Sequence, residues 1–84
     1  MAHKKGGDLI TTAERMAAYT EYSRFRDSKG MTDYAVSHAT GVPTATLSNW
    51  KAGNYMPKID KLSKIAACVG ADVGDILAPK GGDS

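Results

Sequence analysis

The side chains that could carry out chemistry are few in this 84-residue chain. The histidines are His3 and His38, and neither has a second ligating residue three or four positions away, the spacing that puts two ligands on one helical face. Cys68 is the single cysteine, so neither a zinc-binding Cys pair nor an internal disulfide can form, and its place on an apolar helical stripe reads as a buried thiol. No glycine-rich loop follows a strand pattern, which removes a nucleotide-phosphate cradle. No set of nucleophile, base and oxyanion donor converges, so no enzyme activity, metal or cofactor is expected. What remains is hydrogen bonding. Thr44, Ala45, Ser48 and Asn49 share one edge of a short helix, opposite the edge formed by Leu47 and Trp50 at i and i+3.

That edge must be held by what precedes it. The stretch TDYAVSHATGVPTATLSNWKAG, residues 32–53, reads as two short helices around a sharp turn. Gly41 is the pivot, because a helix that ends in a left-handed residue favours glycine. Pro43 opens the next helix, since its fixed φ and missing N–H suit a first turn. Thr32 caps helix 2, predicted over Asp33 to Thr40, and helix 3 is predicted over Pro43 to Ala52. Val36, Ser37 and Thr40 share the inner face of helix 2, and the small Ser37 allows a close crossing. Trp50 falls with Leu47 on the inward side and is expected in the core.

The flanking elements supply that core. Thr11 and Glu14 form a capping box that starts helix 1 near Thr12, and Gly30 ends it near Ser28. Ala18, Tyr22 and Phe25, with Met16 nearby, give helix 1 its apolar side. Helix 4 is the most legible: Ile59, Leu62, Ile65, Ala66 and Val69 make a continuous stripe ended by Gly70, with Lys58, Lys61 and Lys64 on the outer side. Asp72 caps a short helix 5 carrying Val73, Ile76 and Leu77, and Pro79 terminates it. No alternating apolar pattern of useful length occurs, so no sheet is expected. The organisation is therefore a flexible arm over 1–10, one domain over 11–78 and a flexible tail over 79–84.

Composition narrows the class. An apolar content of 42% suits a globular fold, and no apolar run is long enough to span a bilayer. The absence of a charged-then-apolar leader points to the cytoplasm. The net charge of +2 permits an anionic partner without demanding one. Residues 1–29 carry six Lys/Arg against four Asp/Glu, whereas residues 30–84 carry five of each.

Between Tyr22 and Leu77 four segments, FRDSKGMT, AVSHATGVPTATLSNWKAG, PKIDKLSKIA and VGADVGDIL, resemble in order and spacing the lambda-repressor/Cro-like, or Xre, helix-turn-helix family. The SNWK…G…P…KL…IA form is similar to short repressors of Gram-positive bacteria, their phages and mobile elements. The resemblance implies an all-α, compact five-helix domain that binds double-stranded DNA as a transcriptional regulator. In that family helix 3 enters the major groove while helix 2 crosses above the backbone. Carried over by position, the base-reading residues are Thr44, Ala45, Ser48 and Asn49. The Asn49 amide is suited to adenine N6 and N7, and the Ala45 methyl to thymine.

The same resemblance supplies backbone candidates: Thr32, Tyr34, Lys51, Asn54, Tyr55 and Lys58. Where the family often has a phosphate-gripping Gln at the start of helix 2, this chain has Asp33, whose charge repels phosphate. Arg26 matches a structural position and is expected to pair with an acidic group near helices 1 and 5. The implied partner is a pseudo-palindromic operator bound by a homodimer, formed before or on DNA binding, with helix 5 at the dimer surface. The chain ends soon after this fold, so no sensory second domain is expected. The rival reading is a helix-turn-helix protein-interaction module, such as an antitoxin subunit, antirepressor or adaptor, which the modest net charge with an acidic Asp33 at the clamp position favours.

Overall fold

A computed structural model describes residues 11–77. It contains α1 (Thr12–Ser28), α2 (Asp33–Thr40), α3 (Thr44–Lys51), α4 (Ile59–Val69) and α5 (Val73–Leu77), with no strand among the described residues. The segments 1–10 and 78–84, expected to be the arm, the end of the domain and the tail, lie outside them. Helix α1 packs against α3, α4 and α5, and α2 packs against α3 and α4. None of the described helices is long and apolar enough to cross a membrane.

Capping fixes the first two helices where the sequence places them. Glu14 N–H donates to Thr11 Oγ1 (3.0 Å) and Thr11 N–H donates to Glu14 Oε1 (2.9 Å), a reciprocal capping box. Ala35 N–H donates to Thr32 Oγ1 at 3.1 Å, which satisfies one free amide at the start of α2. Gly41 closes α2 at φ 80°, and its N–H donates to the Ser37 carbonyl at 2.8 Å. Helix α3 is one residue shorter at each end than expected. Pro43, at φ −59° and ψ 146°, is extended and stands as the N-cap, while Ala52 is the C-cap. A proline without a side-chain acceptor cannot cap the turn it opens, and Thr46 and Leu47 N–H donate to its carbonyl instead.

The core is built on Trp50, Tyr22, Leu47, Leu62, Ile65, Ile76, Val36, Val42 and Val69, all nearly inaccessible. Trp50 stacks at a tilt on Tyr22, with ring centroids 5.1 Å apart, and meets Tyr19 edge-on at 5.4 Å. Such pairs add about 0.5–1.5 kcal/mol beyond area burial. Tyr19 was not among the expected core residues, and neither was Val42, which the turn folds inward.

Four expectations about apolar residues fail. Met16 is 45% exposed, Ile59 61% and Leu77 46%, whereas Cys68 is half-buried rather than buried. Helical side chains lean toward the N-terminus, so Ile59, first in α4, projects past the helix end into solvent. Met16, inside α1, lies at the rim with its Cγ close to Gly53 rather than in the core. Leu77 follows Ile76, and α5 points only the latter inward. Cys68 lies at the margin, beside Thr40 and Lys64 in a shallow groove.

Two glycines in left-handed backbone do different work. A Cβ on Gly41 would meet nothing within 4 Å, so only its φ demands glycine. At Gly53, with φ 82°, a Cβ would fall 2.5 Å from Thr12 Cγ2 and 3.2 Å from the Thr12 carbonyl oxygen. The turn after α3 thus presses directly on the first turn of α1. Gly41→Ala is expected to cost about 1–2 kcal/mol, the left-handed penalty alone. Gly53→Ala is expected to cost about 2–4 kcal/mol, because overpacking is added. Urea unfolding followed by Trp50 fluorescence measures both, and equal losses would refute the close contact.

Candidate nucleic-acid interface

Helix α3 divides sharply between its two faces. Leu47 and Trp50 are fully buried, while Thr44, Ala45, Ser48 and Asn49 are all exposed on the opposite edge. Among the described residues, the side chains of Thr44, Ser48 and Asn49 hold no hydrogen bond, so their donors and acceptors are open to a ligand. The helix carries no acidic residue in its first turn and Lys51 in its last. The edge is therefore polar and short-chained, and the buried Leu47–Trp50 side holds it rigidly.

The start of α2 is organised by a charge cluster. Asp33 Oδ2 accepts from the Tyr19 hydroxyl at 2.6 Å, and Asp33 Oδ1 accepts from the Tyr22 hydroxyl at 2.6 Å and from Arg26 Nη1 at 2.8 Å. Arg26 also pairs with Asp27 at 2.9 Å and donates to the Tyr19 hydroxyl at 3.0 Å. Burial alone would push the Asp33 carboxyl up, but bonds from Tyr19, Tyr22 and Arg26 outweigh it and hold the group below the usual carboxylate range. Burial, then the hydrogen bond to Asp33, raises the Tyr22 hydroxyl far above its ordinary value, and Tyr19 shifts the same way. For Arg26, burial works against the charge, and its bonds to Asp33, Asp27 and Tyr19 more than restore it.

This cluster corrects two sequence readings. Arg26 pairs with Asp27 on α1, as expected for a group near helix 1, but its second acidic partner is Asp33 at the start of α2 and not a group near α5. Asp33 is also no free repulsive charge at the clamp position, because three donors, one of them the Arg26 cation, engage it from within the fold. Neither pairing has a signature in spacing along the chain, since Tyr19, Tyr22 and Arg26 meet Asp33 only across two helices.

The candidate backbone residues do not form one cluster. Thr32 and Lys51 line a single groove of about 480 Å³, with Ser23, Asp27 and Met31 from α1 and the loop after it. Tyr34 stands apart on α2, 70% exposed, with its ring 6.1 Å from that of His38. Asn54 and Lys58 are exposed and Tyr55 is half-buried, in and after the turn that follows α3. Thr32 Oγ1 is occupied as a cap acceptor, although its hydroxyl proton is still available to a ligand. Arg15, which was not expected to matter, donates from Nη1 to the Gly53 carbonyl at 2.9 Å. Only the fold shows that residue 15 faces residue 53.

A helix-turn-helix family, HTH_3, matches residues 23–76. Two crystal structures of the clp gene regulator ClgR from Corynebacterium glutamicum are similar, each 28% identical with a TM-score of 0.68. They align over 76% of this chain and over 68% and 82% of theirs. The HTH_3 family transcriptional regulator from Vibrio cholerae is 27% identical with a TM-score of 0.68, and the alignment covers 80% of this chain but 38% of that one. No match is found among curated proteins.

The Asp33 cluster has a measurable pH signature. A carboxyl held below its unfolded value stabilises the fold above about pH 4, and that contribution is lost as pH falls through the folded-state value. Asp33→Ala leaves the Tyr19 and Tyr22 hydroxyls without their acceptor and takes one of its two carboxylate partners from Arg26, and it is expected to cost about 2–4 kcal/mol at pH 7. The wild-type protein should lose stability on acidification toward pH 2 more steeply than Asp33→Ala. Parallel pH–stability curves from chemical denaturation would remove Asp33 as a stabilising charge.

Proposed function

The chain belongs to the HTH_3 helix-turn-helix family, and from that premise we propose that it is a double-stranded-DNA-binding transcriptional regulator that reads the major groove with α3. The observation that carries this reading is the division of α3 into a buried Leu47–Trp50 side and an exposed, unengaged Thr44–Asn49 edge. A helix reads base pairs with side chains that project from a rigid frame and have free hydrogen-bonding groups. Asn49 is the principal base reader, bidentate to adenine. Ser48 and Thr44 reach base edges or the adjoining sugar-phosphate, and Ala45 lies against a thymine methyl. Thr32, Tyr34, Lys51, Asn54, Tyr55 and Lys58 hold the phosphate backbone from the two ends of the motif.

The regulator acts as a Cro-like or short phage-type repressor, on a pseudo-palindromic operator whose half-sites lie about 34 Å apart. Dimerisation on DNA uses α5, where Leu77 is 46% exposed while Ile76 is spent on the core. The ClgR and Vibrio cholerae relatives, a clp gene regulator and a transcriptional regulator, favour a role in transcription without chemistry of its own. A pure protein-interaction module drew support from the modest net charge and from an acidic clamp position, and the engagement of Asp33 by Arg26, Tyr19 and Tyr22 takes the second of these away.

Selection of bound duplexes from a random pool tests binding and half-site symmetry together. On the selected site, Asn49→Ala is expected to lose about 1–3 kcal/mol and relax preference at one base pair. Unchanged affinity and preference would remove α3 from the groove. Lys51→Ala and Lys58→Ala should each weaken binding evenly across sequences and flatten the salt slope by about one unit. A titration in which both variants keep the wild-type slope would strike them from the backbone contacts.

A further inference from the structure

We infer that Arg15 is a positioning residue for DNA binding: its grip on the Gly53 carbonyl sets how the turn after α3 offers Asn54 and Tyr55 to the phosphate backbone. The inference rests on the DNA-binding reading above and adds a residue to it that lies outside the helix-turn-helix itself.

Three observations meet at this turn. Arg15 Nη1 donates to the Gly53 carbonyl at 2.9 Å across 38 residues of sequence, in a half-buried contact. Gly53 is buried, and its α-carbon lies so close to α1 that an added Cβ would collide with Thr12. The amides of the turn bond back to α3, Gly53 N–H to the Trp50 carbonyl and Asn54 N–H to the Asn49 carbonyl, both at 2.9 Å. The turn is thus tied on one side to the helix that bears the proposed base readers and on the other to the first turns of α1. Its amides report the position of α3, and its carbonyl is held by Arg15.

The hold is separable from folding. Helix α1 is anchored in the core by Ala18, Tyr19 and Tyr22, and its N-terminus is closed by the Thr11–Glu14 box, none of which involves the Arg15 head group. Replacing the guanidinium removes one hydrogen bond and leaves those anchors in place. A hold on a turn that carries backbone contacts acts on every sequence alike, unlike the loss of a base reader.

The test uses the full chain with Arg15→Met, which keeps an unbranched apolar stem, and Arg15→Lys, which can still donate to the carbonyl. Amide hydrogen exchange at Gly53 and Asn54, the two turn amides bonded back to α3, is expected to accelerate in Arg15→Met by about five-fold or more, the loss of one hydrogen bond of ordinary strength, while α4 is unchanged. Affinity for the selected duplex and for a scrambled duplex should fall together, by about three- to ten-fold, and Arg15→Lys should recover most of it. Unchanged exchange at the turn, or unchanged affinity with faster exchange, overturns the inference. So does an affinity loss that merely follows a loss of folded protein by circular dichroism. A wild-type chain that binds no duplex at any salt concentration defeats the DNA-binding reading instead, and with it the inference, even if exchange shows the turn to be held by Arg15.

Discussion

The Asp33 carboxylate is the constraint on which the arrangement of the helices depends. It stands at the first position of α2 but is bonded entirely from α1, by Tyr19, Tyr22 and Arg26. A half-buried carboxylate would cost several kcal/mol if left unmatched, and it is retained because each of its oxygens has a short donor and a cation lies alongside. The same two tyrosines that donate to Asp33 lay their rings against Trp50 of α3. One set of side chains on α1 therefore locates the start of α2 by hydrogen bonds and the far end of α3 by aromatic packing. Helix α1 is the platform on which the helix-turn-helix is mounted.

The turns then finish what the platform begins. Gly41 reverses the chain between α2 and α3 with no steric demand beyond its positive φ, and Thr40 supports it, donating to the Val36 carbonyl and accepting from Val42 N–H. Gly53 reverses the chain after α3 against the wall of α1, with no space for a side chain. Helix α3 is thus bounded by a turn that tolerates small changes and one that does not. Between them, Leu47 and Trp50 fix its rotation about its own axis. Rotation decides which residues face outward, so the exposure of Thr44, Ala45, Ser48 and Asn49 follows from the packing of their neighbours.

Sequence reasoning reached the parts of this design that are local. The capping box at Thr11, the Thr32 cap, the Gly41 pivot and the stripe on α4 are written in adjacent residues, and the helix boundaries drawn from them match the structure to within a residue. The inward placement of Trp50 also followed from its spacing with Leu47. What escaped was non-local or lay at an edge. Tyr19 was overlooked because an aromatic with a polar tip, beside Ala18, extends the stripe sideways. Asp33 read as a surface charge because nothing in its own helix shows that its partners lie up to 14 residues earlier. Ile59 and Leu77 fit a periodic pattern, yet a pattern does not reveal where a helix end runs out of neighbours to pack against.

One feature of the core runs against economy and bears on how tightly α3 is held. Trp50 Nε1 is buried without a hydrogen-bond partner, which costs about 1–3 kcal/mol. The indole nevertheless buries a large apolar surface and meets two tyrosine rings, gains that outweigh one unmade bond. Rigidity matters under the proposed reading because the net charge is a modest +2 and recognition then leans on direct contacts as well as on attraction at a distance. On that reading, contacts between α3 and base edges are short and made in register, and those require a helix whose rotation cannot drift. The indole that locks α3 to α1 and the carboxylate that locks α2 to α1 serve that same requirement.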